Sequence, residues 1–202
     1  MPMVLQVLER MQIDFYKEKN TICNSHGPVD LFRFINEVFD CYDLCPQTDI
    51  CKSILSLSFK IISSFQTEFR KVVTEAEDMS IEVFCALTNS NMKFMSAMRT
   101  FIERVSGNAG LDSTEVQQAI SYQMLIKNFA EISNLSYIRI QELMTFNMNH
   151  FFSKVKEYQS FDIQKFMTEM IDGIGSVFDM LMGAYSKKLW KHIHDTFVVL
   201  FI

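Results

Sequence analysis

The chain has 202 residues, of which 49% are hydrophobic and 21% charged, and it contains 19 Phe and 14 Met. Such a chain is long and apolar enough to bury a core, unlike disordered segments, which are poor in apolar residues. Its net charge of -5 argues against a nucleic-acid partner, because nucleic-acid-binding proteins carry a basic face.

Glycine and proline usage predicts the fold class. The prolines stand at positions 2, 28 and 46, and the chain has six glycines. Strands joined by hairpins need turn residues about every 8 to 12 positions, whereas long helices need few. Apolar residues also recur every three or four positions through residues 54–73, which is the spacing of one helix face. We therefore expect an all-α protein of elongated antiparallel helical bundles stacked into a rod.

The first half of the chain is predicted to form four helices, over residues 3–19, 28–44, 48–73 and 78–105. The stretch TICNSHG interrupts the pattern after the first helix, and Pro28 suits the first turn of the second. The third helix begins with Thr and Asp, which are good capping residues.

The second half begins with SGNAG at 106–110, the strongest loop composition in the chain. A capping box at 112–115 then predicts a long helix, free of Pro and Gly, that ends near Tyr158. Two further helices are expected, over 160–178 and from Ser186 to the end of the chain.

We expect these helices to form two bundles, over residues 1–106 and 107–202, within one continuous rod. The apolar start at residues 1–8 is too short for a signal peptide and is interrupted by polar side chains. The sequence has no run of roughly 18 apolar residues that could cross a bilayer. These features predict a soluble protein inside the cell.

The cysteines are predicted to be reduced, buried thiols and not metal ligands. Their number is odd and no secretory signal precedes them, which favours a reducing compartment. Cys23-x-x-His26 and Cys41-x-x-x-Cys45 lack the paired spacing of a structural zinc site. The five cysteines are Cys23, Cys41, Cys45, Cys51 and Cys85.

Residues that could support catalysis are few. His192 and His194 are two positions apart on a predicted helix, so they point in different directions and cannot grip one ion. No histidine has the serine or cysteine and carboxylate neighbours of a nucleophile site. Gly173-Ile-Gly175 lies inside a helical pattern and does not follow a strand, so it is not a phosphate loop. We expect no catalytic, cofactor-binding or metal-binding residue, and hence no enzyme.

A polar stretch, Thr88-Asn89-Ser90-Asn91, stands in the middle of an otherwise apolar helical pattern. It could be a loop, an active site, or a polar notch in a helix that packs against its neighbours. No Gly or Pro accompanies it, and Ser and Asn are only mildly unfavourable within helices. A buried Asn can also fix the register between packed helices. We therefore expect a notch, and we expect Asn89→Leu to alter packing specificity more than stability.

The methionines raise a second question, because Met-rich surfaces can form pliable binding grooves. Met92, Met95 and Met98 recur at helical spacing together with Phe94 and Phe101. This spacing is typical of one buried helix face. We expect these side chains to fill the core.

The end of the chain, KKLWKHIHDTFVVLFI, permits two interpretations. Lysines beside Trp190 suit a helix that lies at a membrane interface. The tail is apolar almost all round, however, which favours a helix buried in the last bundle. We expect burial, so that deletion of residues 197–202 lowers the melting temperature.

The stretch VFCALTNSNMKFMSAMRTFIERV (83–105) resembles a segment of the exocyst complex component three family, the Sec-six subunit of the vesicle-tethering complex. That segment has an apolar-Ala-apolar-x-Asn-Asn pattern, and Ala86-Leu87 with Asn89 and Asn91 stand in its place. The order and apolar spacing of the other helices are also similar to this family. They include VDLFRFINEVFDCYD, LSLSFKIISSFQTEFRKVV, SFDIQKFMTEMIDGIGSVFDML and SKKLWKHIHDTFVVLFI.

The resemblance implies a non-enzymatic exocyst subunit, cytoplasmic and peripheral at plasma-membrane sites of exocytosis. It implies other exocyst subunits and SNARE-type fusion proteins with their regulators as partners, an indirect or peripheral contact with membrane, and no cofactor. The alternative is another helical-rod tethering protein or a MUN-type vesicle-priming protein.

Overall fold

The computed structural model describes residues 2–18, 22–43, 48–76, 78–108, 122–155 and 160–201. These residues form seven helices and one small two-stranded sheet. In chain order the elements are α1 (Pro2–Ile13), β1 (Phe15–Glu18), β2 (Ile22–Ser25), α2 (Gly27–Asp43), α3 (Thr48–Glu75), α4 (Ile81–Asn108), α5 (Tyr122–Val155), α6 (Ser160–Met180) and α7 (Gly183–Phe201). The mostly helical architecture is confirmed, whereas the stacking of bundles into a rod stays a prediction.

The first predicted helix, over residues 3–19, is wrong beyond its first part. The helix ends at Ile13, and the chain then forms an antiparallel hairpin in which Phe15 pairs with Ser25 and Glu18 with Ile22. Aromatic and β-branched residues at 15, 16 and 22 are compatible with strands. Strand β2 packs on α4 and buries the side chains of residues 23–25. This long-range contact decides the strand, and no local pattern reveals it.

The other predicted helix bounds agree with the structure within a few residues at most ends. Helix α4 continues through residues 106–108, which the prediction placed in a loop. Ser and Asn are tolerated in a last helical turn, so composition alone misplaced that end. The predicted capping box at 112–115 lies outside the described residues. Helix α7 begins at Gly183, three positions before the predicted Ser186.

The first of two core clusters is rich in phenylalanine, and we call it the aromatic cluster. Phe94 of α4 stacks on Phe129 of α5, with ring centroids 5.1 Å apart and planes 4° apart. Its ring centroid also lies 4.8 Å from that of Phe65 in α3. Met98 and Phe101 are buried in the same cluster, while Met92 and Met95 pack partly buried against core residues. The prediction that these side chains fill the core is confirmed for Phe94, Met98 and Phe101, whereas the two half-buried methionines lie at its border.

The second core cluster joins the first turns of α4 to the C-terminal half of α5 and to α6 and α7. Met144 and Met148 of α5 contribute to it, as do Val177 of α6 and Leu189 of α7. Both clusters draw residues from both sides of position 106. The predicted division into bundles 1–106 and 107–202 stays a prediction. None of the described helices has the length and hydropathy needed to cross a bilayer.

Candidate functional site

A layer of buried polar side chains lies between the two core clusters, and we call it the polar layer. Helix α4 runs without interruption through Thr88–Asn91, and all four side chains are fully buried. The interpretation as a polar notch in a continuous helix is therefore confirmed. Helix α5 and strand β2 supply the rest of the layer. Its members are Asn24, Ser25, Thr88, Asn89, Ser90, Asn91, Ser133 and Ser136.

Asn89 connects three elements through one amide group. Its Nδ2 donates to the carbonyl oxygens of Cys23 in β2 and Met180 at the end of α6, each at 2.7 Å. Its Oδ1 accepts from the backbone N–H of Met182, at 2.9 Å. The last carbonyls of a helix lack partners within that helix, so Asn89 satisfies a group that α6 leaves open. One side chain thus anchors the hairpin and the α6–α7 connection to α4.

Ser90 attaches the hairpin to α4 at a second point. The backbone N–H of Ser25 donates to the Ser90 Oγ at 3.1 Å, and the two hydroxyl oxygens lie 2.8 Å apart. Ser90 Oγ in turn donates to the carbonyl of Ala86 in its own helix, at 2.6 Å. Strand β2 therefore finds hydrogen-bond partners on α4 as well as on β1.

A chain of hydroxyl groups joins α7 to α4 by way of α5. The Tyr185 hydroxyl donates to Ser133 Oγ at 2.5 Å, and Ser133 Oγ donates to the carbonyl of Thr88 at 3.4 Å. Burial raises the pKa of the neighbouring Tyr137 to about 12, with a contribution from Tyr185. Both tyrosine rings lie in contact, with centroids 5.4 Å apart. Tyr137 therefore keeps its proton throughout the physiological range.

Four buried polar atoms have no hydrogen-bond partner among the described residues. They are Asn24 Oδ1, Thr88 Oγ1, Asn91 Oδ1 and the hydroxyl oxygen of Tyr137. An unsatisfied buried polar group costs about 1–3 kcal/mol. The layer thus opposes folding at the three of these atoms that belong to it, while it supports folding at Asn89 and Ser90. Its net effect is to specify which elements meet at α4.

The thiols beside the layer are poor nucleophiles. Cys23 and Cys85 are fully buried, and desolvation raises the pKa of both thiols. A reactive cysteine needs the opposite shift, because the thiolate is the nucleophile. Burial of Cys51 agrees with the prediction, whereas the side chains of Cys41 and Cys45 lie outside the described residues.

The histidines considered from the sequence do not assemble into a site. His192 Nε2 lies 3.0 Å from the Thr145 hydroxyl, while His194 faces Asp195 on the exposed surface. His26 packs its ring against Tyr16, with centroids 4.7 Å apart. No group of three or more His, Cys, Asp or Glu side chains within the described ranges is placed to hold a metal ion. The absence of a catalytic or metal site stays a prediction.

A groove beside the polar layer was missed from the sequence. It lies between α5 and α6, is closed at one end by the first turn of α4, and has a volume of about 490 Å³. Met180 belongs to both features, because its carbonyl accepts from Asn89 and its side chain lines the groove. The only sequence signal is the recurrence of Met and Phe at spacings of three and four in 144–151 and 166–170, which equally predicts core.

Comparison of the chain with models of known protein families, with curated proteins and with solved structures finds no match. Inference about function therefore rests on the residues and contacts of the chain itself. Two features carry that inference, namely the polar layer, which holds elements in place, and the groove that borders it.

Proposed function

We propose that this chain is a non-enzymatic subunit of the exocyst vesicle-tethering complex. In that role it binds other exocyst subunits and SNARE-type fusion proteins during exocytosis. It acts in the cytoplasm, peripherally at exocytic sites on the plasma membrane. No cofactor takes part.

The observation that supports this proposal is that polar side chains of Thr88–Asn91 hold other elements of the fold to α4. Residues 83–105 carry the resemblance to the exocyst subunit, and they form the helix that contacts most other elements. Asn89 and Ser90 are the residues of that stretch best suited to polar chemistry. Their side chains form hydrogen bonds with the backbone of β2 and of the α6–α7 connection. Such a use suits a scaffold whose helices must keep fixed relative positions.

Helical scaffolds act through their surfaces, and the described surface offers places for partners. Large apolar side chains are exposed on several helices, including Phe146 at 69%, Trp190 at 63% and Ile171 at 60%. Apolar residues scattered singly over a surface are ordinary. A groove with an apolar floor is more specific, because convex apolar side chains of a partner can enter it.

Affinity purification from cells that produce the protein tests the proposal. The tagged chain is recovered under mild detergent, and its companions are identified and quantified by mass spectrometry. We expect other exocyst subunits to be enriched at least tenfold over a tagged helical protein of similar size and charge, with SNARE proteins at lower enrichment.

Two other results would contradict the proposal in different ways. Enrichment of the subunits of another tethering complex, or of priming factors, would favour the alternative helical-rod role. Recovery of the chain with neither exocyst nor SNARE proteins, in repeated purifications of folded protein, would remove the tethering role altogether.

A further inference from the structure

The groove between α5 and α6 has an apolar floor made of adaptable side chains. Met144 and Met148 of α5 are buried at its base, and Met170 and Met180 of α6 line its other side. Phe151 and Phe166 close one end by stacking, with ring centroids 4.2 Å apart. Methionine is unbranched and polarizable, so a floor of this kind accommodates apolar side chains of varied shape.

Among the described residues that line the groove, the charged side chains have one sign. Glu82 of α4 and Glu169 of α6 line it, and none of the described residues that line it is a cation. Glu82 takes part in no ion pair within the described part of the chain, and Glu169 has only the exposed Lys165, 4.0 Å away on its own helix. Two carboxylates beside an apolar floor attract a cationic partner and repel an anionic one.

The groove is long enough for a helix. Its α6 wall extends from Phe166 to Met180, which at 1.5 Å per residue corresponds to about 21 Å, or roughly four helical turns. An amphipathic helix places its apolar face in such a groove through side chains at i, i+3, i+4 and i+7. The remaining polar face then lies at the level of the two glutamates.

We propose that this groove binds a cationic amphipathic helix of a partner protein. The inference rests on the proposed function, because it names the chemistry of one partner of the scaffold. Apolar side chains of the incoming helix contact the methionines, and its Lys or Arg side chains pair with Glu82 and Glu169. The Asn89 bonds to Met180 and Met182 hold the end of α6 in place, so the wall of the groove is present before the partner arrives.

Two glycines of α6 allow a closely matched test. A side chain added at Gly173 or at Gly175 would meet no atom within 4 Å. Gly173 lines the groove, whereas Gly175 lines a separate cleft with Asp172 and Lys17. Residues two apart on a helix point about 200° away from each other. Gly173→Leu therefore fills the groove, and Gly175→Leu makes the same chemical change on the opposite side.

The probe is a synthetic helical peptide of about 15 residues, long enough to match the α6 wall. It carries Leu on one face, Lys on the other and a fluorophore at one end. Binding to the whole chain is measured by fluorescence anisotropy. We expect Gly173→Leu to weaken binding at least tenfold and Gly175→Leu to change it less than twofold. Circular dichroism confirms that both variants keep the helical content of the parent protein.

The charge requirement is tested with isosteric variants. Glu82→Gln combined with Glu169→Gln is expected to weaken binding of the lysine peptide about fivefold or more at low salt, and less at high salt. The matched control combines Glu9→Gln with Glu103→Gln, which changes the net charge equally at exposed positions outside the groove. A peptide with Glu in place of Lys is expected to bind at least tenfold more weakly.

Several results would overturn the proposal. They are equal binding of the lysine and glutamate peptides, equal loss in the two glycine variants, and no binding of the lysine peptide to the folded chain. Self-association that Gly173→Leu abolishes would assign the groove to a second copy of this chain instead.

Failure here is distinguishable from failure of the proposed function. If exocyst subunits co-purify with the chain but the peptide does not bind, the groove proposal falls and the exocyst role stands. If the peptide binds as expected and no exocyst subunit or SNARE protein co-purifies, the exocyst role falls. The proposal that the groove binds a cationic amphipathic helix then stands.

Discussion

The aromatic cluster and the second core cluster are held together by different physical means. In the aromatic cluster, Phe94 lies with its ring centroid between 4.8 and 6.5 Å from those of four other phenylalanines. The second cluster contains methionines, thiols and tyrosines, and the Asn89 bonds join its elements at one edge. Apolar burial is non-directional, whereas hydrogen bonds specify partners.

Helix α6 contributes to the second cluster with few fully buried side chains. Only Val177 and Met180 of its described side chains are buried, both near its C-terminal end. The same end receives the hydrogen bond from Asn89. Within the described residues, helix α6 is therefore attached mainly at its C-terminal end, and about half of its side chains are exposed.

Loss of the central ring of the aromatic cluster should have the largest effect. Phe94→Ala removes a fully buried ring that stacks on Phe129. We expect a loss of about 3–5 kcal/mol in the free energy of unfolding, measured by urea denaturation. Phe146→Ala is the control, because Phe146 is 69% exposed, and it should change stability by less than about 0.5 kcal/mol. Similar losses in both variants would refute the aromatic cluster as the main core.

Asn89→Leu tests the polar anchor. The substitution removes three hydrogen bonds, two of them buried and one half-buried, and leaves the carbonyls of Cys23 and Met180 without this donor. We expect a loss of about 3 kcal/mol, together with faster amide exchange in α6. The sequence alone predicted a change in packing specificity more than in stability, and the three bonds raise the expected loss.

Asn91→Leu is the matched control for the anchor. The Asn91 amide donates only to the carbonyl of Leu87 in its own helix, and its oxygen is unsatisfied among the described residues. Loss of the Asn91 amide should lower the free energy of unfolding by about 1 kcal/mol or less and leave amide hydrogen exchange in α6 unchanged. Equal effects of the two substitutions would show that Asn89 is not a special anchor.

Alkaline pH should lower the stability of the protein through the buried thiols of the second cluster. Burial raises the pKa of Cys23 and Cys85 above the ordinary thiol value of 9.0. Above that pH the unfolded chain releases thiol protons that the folded chain retains, so stability falls as pH rises, by up to about 1.4 kcal/mol per pH unit for each thiol. Urea denaturation at pH 8, 9 and 10 measures the slope.

The cysteine variant isolates this effect. Cys85→Ala should flatten the decline above pH 9, whereas Tyr137, whose pKa is raised to about 12, contributes only above its ordinary value of 10.0. A decline of unchanged steepness in Cys85→Ala would rule out that thiol as its source.

The smallest expected effect is the coupling between Ser25 and Ser90. A double-mutant cycle of Ser25→Ala and Ser90→Ala should give a coupling energy of about 1 kcal/mol, because their hydroxyl groups lie 2.8 Å apart. The control is a double-mutant cycle of Ser25→Ala and Ser153→Ala, where Ser153 is exposed, and its coupling energy should be near zero. A zero value for the first pair would mean that the contact between the two hydroxyl groups does not help to attach the hairpin to α4, which would leave Asn89 as the polar anchor of β2.

Local sequence patterns predicted the helical elements well. The scarcity of Gly and Pro and the apolar spacing act within a few residues, so they predicted α2, α3 and the uninterrupted passage of α4 through Thr88–Asn91. Burial of the chain end stays a prediction. Val199 is 78% exposed, and the side chains of Phe197, Leu200 and Phe201 lie outside the described residues.

The sequence by itself determined that the chain is mostly helical and that its polar stretch stays helical, because both depend on neighbours one turn away. Tertiary structure alone decided the hairpin, the partners of Asn89 and the groove. The Asn89 amide forms hydrogen bonds with backbone groups that lie 66 and 93 residues away in the sequence. A pattern that spans one or two helical turns cannot predict such contacts. The groove arises only where α5 and α6 meet, so similar methionine spacing gives closed core on α4 and the buried floor of a groove on α5.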